Sequence, residues 1–164
     1  MRMFASLGLL AAVACSSNQP QETTTAPAVT LQAGQWEMSA VVTGVTGTGG
    51  GAPALKASTK PQLNTVCLKA TDVEKPQPAM FVTEKENCTY QNQYLSGGRI
   101  VQTIACQEPG RSITASIEGS YTATTIDATV NKSSYRGAPD DYRAAIKLTG
   151  KRLGDCTEKQ LAQK

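Results

Sequence analysis

Apolar and polar residues alternate with a period of two along much of this chain. The alternation begins after Gln35, where Trp36, Met38, Ala40 and Val42 share one face and mostly polar residues lie between them. The same alternation recurs in three later stretches, at 111–121, 125–132 and 142–154. Strict alternation is typical of half-buried β-strands. With the stretch "QLNTVCL" and a hairpin between Cys88 and Cys106, the pattern predicts about seven short strands.

One segment, "KATDVEKP", predicts a helix instead. Thr71 and Glu74 have the spacing of a capping box, and Pro76 would end the helix within a turn or two. We therefore expect one short helix near 71–75. Antiparallel strands joined by short turns form layered or curled sheets. The predicted fold is all-β, an antiparallel meander of about seven strands that forms a small sandwich or a partly closed barrel.

The N-terminus has a different pattern. Arg2 precedes an unbroken run of apolar or small residues from Met3 to Ala14. Because a bilayer-spanning helix needs about twenty such residues, this shorter run predicts a secretory signal peptide over 1–14.

The residues around Cys15 bear on anchoring. Val13-Ala14-Cys15 resembles the lipobox of bacterial lipoproteins, and Ser16 follows it. The resemblance implies cleavage before Cys15, acylation of Cys15 and sorting to the outer membrane, with the domain facing the periplasm. The alternative is an ordinary signal peptide cut near Ala14, which leaves Cys15 as an unpaired thiol.

Composition divides the rest of the chain. Residues 15–29 are rich in Ser, Thr, Gln and Pro, which predicts a lipidated flexible tether. Residues 30–156 are long enough for one domain with a real core, and 157–164 form a C-terminal tail.

Charge excludes one class of partner. The chain has sixteen Lys and Arg residues, one of which is Arg2 in the leader, against thirteen Asp and Glu residues. The signs are interspersed, and no basic run is interleaved with aromatic residues, which argues against nucleic-acid binding. The expected partners are the membrane, through acylated Cys15, and an unknown envelope protein or lipid.

The other four cysteines allow three pairings. In "CTYQNQYLSGGRIVQTIAC", a turn centred on Gly97 places Tyr94 opposite Ile100 and Cys88 opposite Cys106. This register predicts a Cys88–Cys106 disulfide. Cys67 and Cys156 are left for each other.

The order of these pieces resembles a known family. A Gly-x-Trp opening strand (Gly34, Trp36), a Cys-Leu pair (Cys67, Leu68), two central cysteines and a closing Gly-x-Arg-x-Gly-x-Cys (Gly150 to Cys156) are similar to a family of uncharacterised exported proteobacterial proteins. Many of its members are lipid-anchored. The resemblance implies export and disulfides, and it carries over no catalytic residue.

Residues for catalysis or metal binding are scarce. The chain has no histidine and no Cys-x-x-Cys pair, so we expect no catalytic residue, no metal and no cofactor. The Gly-rich stretch from Gly44 to Pro53 lacks the Gly-Lys-Ser/Thr ending of a phosphate-binding loop and is interpreted as a mobile hairpin loop.

Three weaker candidates have structural alternatives. Asp140 and Asp141 are either an acid pair or calcium site, or a solvated turn. Trp36 either stacks on a ligand or lies in the core with Gly34 beside it. Lys151, Arg152 and Asp155 either bind an anion or are surface charges. The structural interpretation is favoured for each.

These observations favour a non-catalytic, lipid-anchored envelope protein that acts as a structural or interaction module. The alternative is a carrier that holds a small apolar ligand or lipid inside the β domain, which requires an interior cavity of at least a few hundred Å3. An enzyme is the third hypothesis, and we do not favour it.

Overall fold

The computed structural model describes residues 29–83, 87–108 and 110–161. The expected signal peptide, Cys15 and nearly all of the expected tether lie outside the described residues.

The described chain forms seven strands and little helix. The strands are β1 (Gly34–Gly47), β2 (Gln62–Leu68), β3 (Cys88–Ser96), β4 (Arg99–Glu108), β5 (Arg111–Tyr121), β6 (Thr125–Tyr135) and β7 (Tyr142–Gly154). The helical elements are two 3-10 turns, Ala70–Asp72 and Pro78–Met80, and one short helix, α1 (Glu158–Leu161). The all-β prediction is confirmed.

All seven strands belong to one antiparallel sheet in the order β2-β1-β7-β6-β5-β4-β3. Strands β3 to β7 form a meander, and β7 then pairs with β1. The sheet curls into a half-barrel whose two edges are β2 and β3, so of the two predicted architectures the partly closed barrel is present. The stretch that follows β2, described over 69–83, leads away from the β2 edge and contacts β3.

The core lies on the concave face of the half-barrel. Alternate residues of β1, β4, β5, β6 and β7 point inward and are buried, which is the period-two pattern of the sequence. The stretch that follows β2 adds Met80, Phe81 and Val82, which are at most 8% exposed. These three side chains fill the concave face where the sheet does not close on itself.

Trp36 is fully buried, and its indole Nε1 donates a hydrogen bond to the Gln32 carbonyl at 3.0 Å. Its interpretation as a core residue therefore holds, and no stacking surface for a ligand is left on it.

The predicted helix at 71–75 is wrong in type. The structure has a 3-10 turn at Ala70–Asp72 that Lys69 precedes without a side-chain cap, and the Thr71 hydroxyl bonds to Asp72 instead. The capping box is thus not formed. Pro76 and Pro78 follow too closely for a helical ladder to grow, and a 3-10 turn needs only single i to i+3 bonds.

The β3–β4 register is partly as predicted. Ser96 pairs with Arg99, so the turn consists of Gly97 and Gly98, both with positive φ, and Tyr94 faces Val101 rather than Ile100. A β-bulge between Tyr90 and Asn92 then shifts the ladder by one residue. Beyond the bulge, Cys88 faces Cys106 as expected.

Both predicted disulfides are present. Cys88–Cys106 joins β3 to β4, and Cys67–Cys156 joins the end of β2 to the residue just beyond β7. The first fixes the β3 edge of the half-barrel, and the second fixes the β2 edge.

Candidate functional site

The interior of the half-barrel is filled. An interior cavity of about 30 Å3 lies between β1, β6, β7 and the Phe81–Val82 segment. That volume has room for about one or two water molecules, whereas ligand pockets begin at about 300 Å3. The geometry therefore favours a packed core over an internal ligand cavity.

Lys132 lines this small cavity. It is the fourth inward position of β6, after Ile126, Ala128 and Val130, and it is 8% exposed. Burial lowers the pKa of the Lys132 ammonium to about 8, since a charged group is disfavoured in an apolar environment.

A larger opening lies at one end of the half-barrel. It is an open cleft of about 460 Å3 between the last residues of β3 and the segment 73–75, and we call it the β3 cleft. Gln93, Leu95, Val73 and Tyr121 contribute to its lining, and Val29, the first described residue, lies at its rim. Its volume is within the range of known binding pockets.

Two glutamines lie side by side on β3 and β4, and only the one on β3 reaches this cleft. Gln93 lines it, and Gln102 faces Gln93 across the β3–β4 ladder. Gln102 is 1% exposed and lies between Ile100 and Ile104 on the concave face. The Nε2 of Gln93 and both amide atoms of Gln102 are buried and have no hydrogen-bond partner among the described residues. Buried amides of this kind are rare in folded proteins, because each unmade hydrogen bond is costly.

The free edge of β3 borders the same cleft. In a two-residue hairpin with positive φ at both glycines, Ser96 and Arg99 form a hydrogen-bonded pair. Hydrogen-bonded and non-hydrogen-bonded pairs alternate along an antiparallel ladder. The backbone N–H and C=O groups of Gln93 and Leu95 consequently point away from β4, towards the open edge.

Asp140 and Asp141 do not form an acid pair. Asp140 binds the Arg111 guanidinium. Asp141 accepts hydrogen bonds from the backbone N–H groups of 136–138 and from the Ser134 hydroxyl. The Arg136 N–H contributes most to lowering the pKa of Asp141. Asp141 thus shapes the β6–β7 turn rather than a reactive site.

The Gly-rich stretch is docked onto that turn. The Gly51 N–H donates to the Pro139 carbonyl at 2.9 Å, and a Cβ at Gly49 would lie 1.9 Å from the Ala138 carbonyl oxygen. The mobility expected for this loop does not fit these contacts. The glycines are needed because two turns approach each other closely.

The C-terminal motif also has a structural role. Arg152 donates from Nε to the Ala33 carbonyl at 2.8 Å and pairs with Asp155. A Cβ on Gly34 would lie 2.2 Å from the Gly154 carbonyl oxygen. Arg152 therefore connects the start of β1 to the end of β7, and its guanidinium is already engaged and does not form an anion-binding site.

Neither a metal centre nor a membrane-spanning helix is found in the described parts of the chain. No group of three or more Cys, Asp or Glu side chains there could hold a metal ion. No helix among the same residues is long and apolar enough to cross a bilayer.

The sequence analysis did not single out Gln93, Gln102 or Lys132. A signal for two of them was present, because Gln102 and Lys132 interrupt runs of otherwise apolar inward positions. Gln93 gave no such signal, since the bulge changes which face it occupies.

These features define a disulfide-linked, all-β half-barrel domain with a filled interior and an open cleft at one strand edge. Residues 31–156 match a family described as a protein of unknown function, DUF3617, and the chain belongs to that family. Comparison with curated proteins and with solved structures gives no match.

Proposed function

We propose that this protein is a lipid-anchored, non-catalytic interaction module of the cell envelope, and that it binds an extended segment of another envelope protein along β3. The observation that carries this proposal is the composition of the β3 edge. Its nine residues include no charge and no proline.

Exposed strand edges normally carry features that prevent pairing with other chains, such as lysine, proline or a bulge. In β3 the bulge at Gln91 interrupts the edge, which leaves Asn92–Ser96 as a regular strand. Strand addition to such an edge is a common way to recognise an extended peptide. The β3 cleft lies beside this part of the strand and gives an added segment room.

The carrier alternative has less support. A ligand inside the half-barrel would have to displace Phe81 and Val82 from the core, because the cavity beside Lys132 is only about 30 Å3. The open cleft lies instead at the β3 edge, where a strand can be added.

Site-specific photo-crosslinking tests the proposal. Benzoyl-phenylalanine replaces Tyr94 on β3, which is 53% exposed, or Tyr135 at the end of β6, which is 57% exposed and serves as the matched control. We expect a discrete protein adduct in cell envelopes from position 94 only, with the crosslinked partner peptide mapped to one segment. Equal adducts from both positions, or none from position 94, would overturn the proposal.

A charged residue introduced at the β3 edge provides a second test of strand addition. Ser96→Lys places an ammonium beside the free edge and should abolish the adduct from position 94. Ser120→Lys, at an exposed position of β5, should leave it intact. An adduct that survives Ser96→Lys does not come from strand addition.

Anchoring is tested separately through Cys15. The Cys15→Ala variant should leave the membrane fraction after a high-pH wash, whereas the parent should stay and show a fatty-acylated N-terminus at Cys15 by mass spectrometry. Dual or triple acylation holds a protein far more firmly than a single chain. A variant that is still processed and still retained would contradict the lipid anchor.

A further inference from the structure

We infer that the β3 cleft selects its extended partner by two of the partner's side chains. The residue opposite Gln93 must be uncharged and able to form hydrogen bonds, and the residue two positions away, opposite Leu95, must be apolar. This inference rests on the proposed strand addition along β3 and specifies what that added strand must carry.

The backbone of β3 sets where an added strand pairs. Gln93 and Leu95 direct their N–H and C=O groups to the open edge, so a strand added there pairs with these two residues. Residues opposite Gln93 and Leu95 in the new strand are two apart and point to the same face. Both therefore project towards the concave side, where Gln93 and Leu95 project.

The polar position of the partner lies opposite Gln93. Directly opposed side chains have Cβ atoms about 5 Å apart, so a residue opposite Gln93 comes within reach of its buried amide. The Nε2 of Gln93 is a donor without a partner among the described residues, and Gln102 behind it adds a donor and an acceptor. An Asn, Gln, Ser or Thr side chain, which carries hydrogen-bonding groups without charge, can satisfy these amides.

The apolar position of the partner lies opposite Leu95. Leu95 packs against the edge of the core, and Val73 lies on the opposite wall of the cleft. An apolar side chain placed opposite Leu95 lies between these two residues and is removed from water.

Charge excludes an ionic partner at the same place. Glu74 and Lys75 stand on the opposite wall with opposite signs, so the cleft has no net charge to offer an ion. A carboxylate or ammonium opposite Gln93 would lose its hydration and face Glu74 and Lys75 together, whose opposite charges offset each other.

Labelled synthetic peptides test the rule. Each is a capped ten-residue strand of alternating β-branched and polar uncharged residues with two lysines at its C-terminal end, and the peptides differ at one inward position, which is Asn, Leu or Asp. Fluorescence anisotropy measures their binding to the full-length protein in detergent micelles. We expect the Asn peptide to bind about tenfold more tightly than the Leu or Asp peptide, a factor that corresponds to about 1.4 kcal/mol.

Matched variants assign that preference to the cleft. Gln93→Leu should reduce the Asn preference to less than about twofold, while Gln91→Leu, the same substitution at the exposed bulge on the same strand, should retain it. The side-chain amide signals of Gln93 and Gln102 in nitrogen-15 spectra should shift only when the Asn peptide binds. These signals are assigned by their loss in the corresponding Leu variants.

The remaining outcomes separate the two proposals. Equal binding of the three peptides, or a preference that Gln93→Leu does not alter, overturns the selection rule. If no peptide binds while position 94 still crosslinks in envelopes, the rule is also overturned and the strand-addition proposal stands. If position 94 gives no adduct, the proposed function itself fails.

Discussion

Replacing Gln102 with leucine should stabilise the protein. The side chain is 1% exposed, and neither amide atom has a hydrogen-bond partner within the described chain. Leaving a buried polar group unsatisfied costs about 1–3 kcal/mol. Leucine is of similar size and has no polar atom, and its neighbours Ile100, Ile104 and Ile117 are apolar. We therefore expect Gln102→Leu to raise the free energy of unfolding by about 1–3 kcal/mol.

Urea denaturation with both disulfides intact measures this change. For a protein of this size the denaturant slope is about 1–3 kcal/mol per molar urea, so the midpoint should rise by roughly 1 M. Gln91→Leu on the surface is the control and should change stability by less than about 0.5 kcal/mol. If Gln102→Leu lowers the midpoint by 1 M or more, Gln102 is hydrogen-bonded in the folded protein and the reasoning fails.

The same substitution should weaken function. If Gln102 is kept in the core for binding, the stabilised variant should lose the preference for the Asn peptide. Such an opposition between stability and activity is common at binding sites. A variant that gains stability and keeps the full preference for the Asn peptide would show that Gln102 does not contribute to binding at the β3 cleft.

Three further predictions follow from burial and charge. Trp36→Ala should cost about 3–5 kcal/mol in urea denaturation, and an unchanged midpoint would contradict the burial of Trp36. The pKa of Lys132 is lowered to about 8 from 10.5, so the unfolded chain binds more protons between these values and stability should rise from pH 8 to 10.5. A Lys132→Met variant should lack that rise, and an equal rise in both proteins would refute it. The pKa of Asp141 is lowered, chiefly by the Arg136 N–H, so its contribution to stability is present above pH 4 and is lost as pH falls through the lowered value. Asp141→Asn should therefore destabilise the protein at pH 7 and have a progressively smaller effect as the pH falls below 4, and a loss of equal size at every pH would show that ionisation is not the cause.

The strands were predictable because the buried inward positions in β1, β5 and β7 are apolar residues or glycine. Alternation alone fixes which face of a strand is buried, and the structure buries Trp36, Ile113 and Ile146 as expected. The pairing of β7 with β1 had no such signal, since it depends on how far the sheet curls.

The β3–β4 hairpin shows why local reasoning about register can fail. A turn centred on Gly97 predicted that Tyr94 lies opposite Ile100. The structure places both glycines in the turn, and Tyr94 is exposed. The bulge at Gln91 then restores the expected pairing of the cysteines. The turn and the bulge each shift the register by one residue, in opposite directions, so the pairing of Cys88 with Cys106 is unchanged. Only the residues between the turn and the bulge, including Gln93, lie on the face opposite to the predicted one.

The candidate site was not predictable for the same reason. Gln93 reaches the concave face only because of the bulge, and the opposite wall of the cleft comes from 73–75, a segment predicted as helix. A site formed by a bulged strand and an irregular connection does not produce a regular alternation of apolar and polar residues in the sequence.

Family membership and the proposed binding specificity depend on different residues of this protein. Structural roles account for most residues of the resemblance: Gly34 and Gly150 allow close approach, Arg152 connects two strand ends, and Cys67 forms a disulfide with Cys156. A Cβ on Gly150, for example, would lie 2.8 Å from the Met38 sulfur. Since these residues are needed to close the half-barrel, sharing them preserves the fold and says nothing about the ligand. Residues at the open edge are not required for closure, so Gln93 and its neighbours in the β3 cleft can set a specificity that differs between proteins of the same fold.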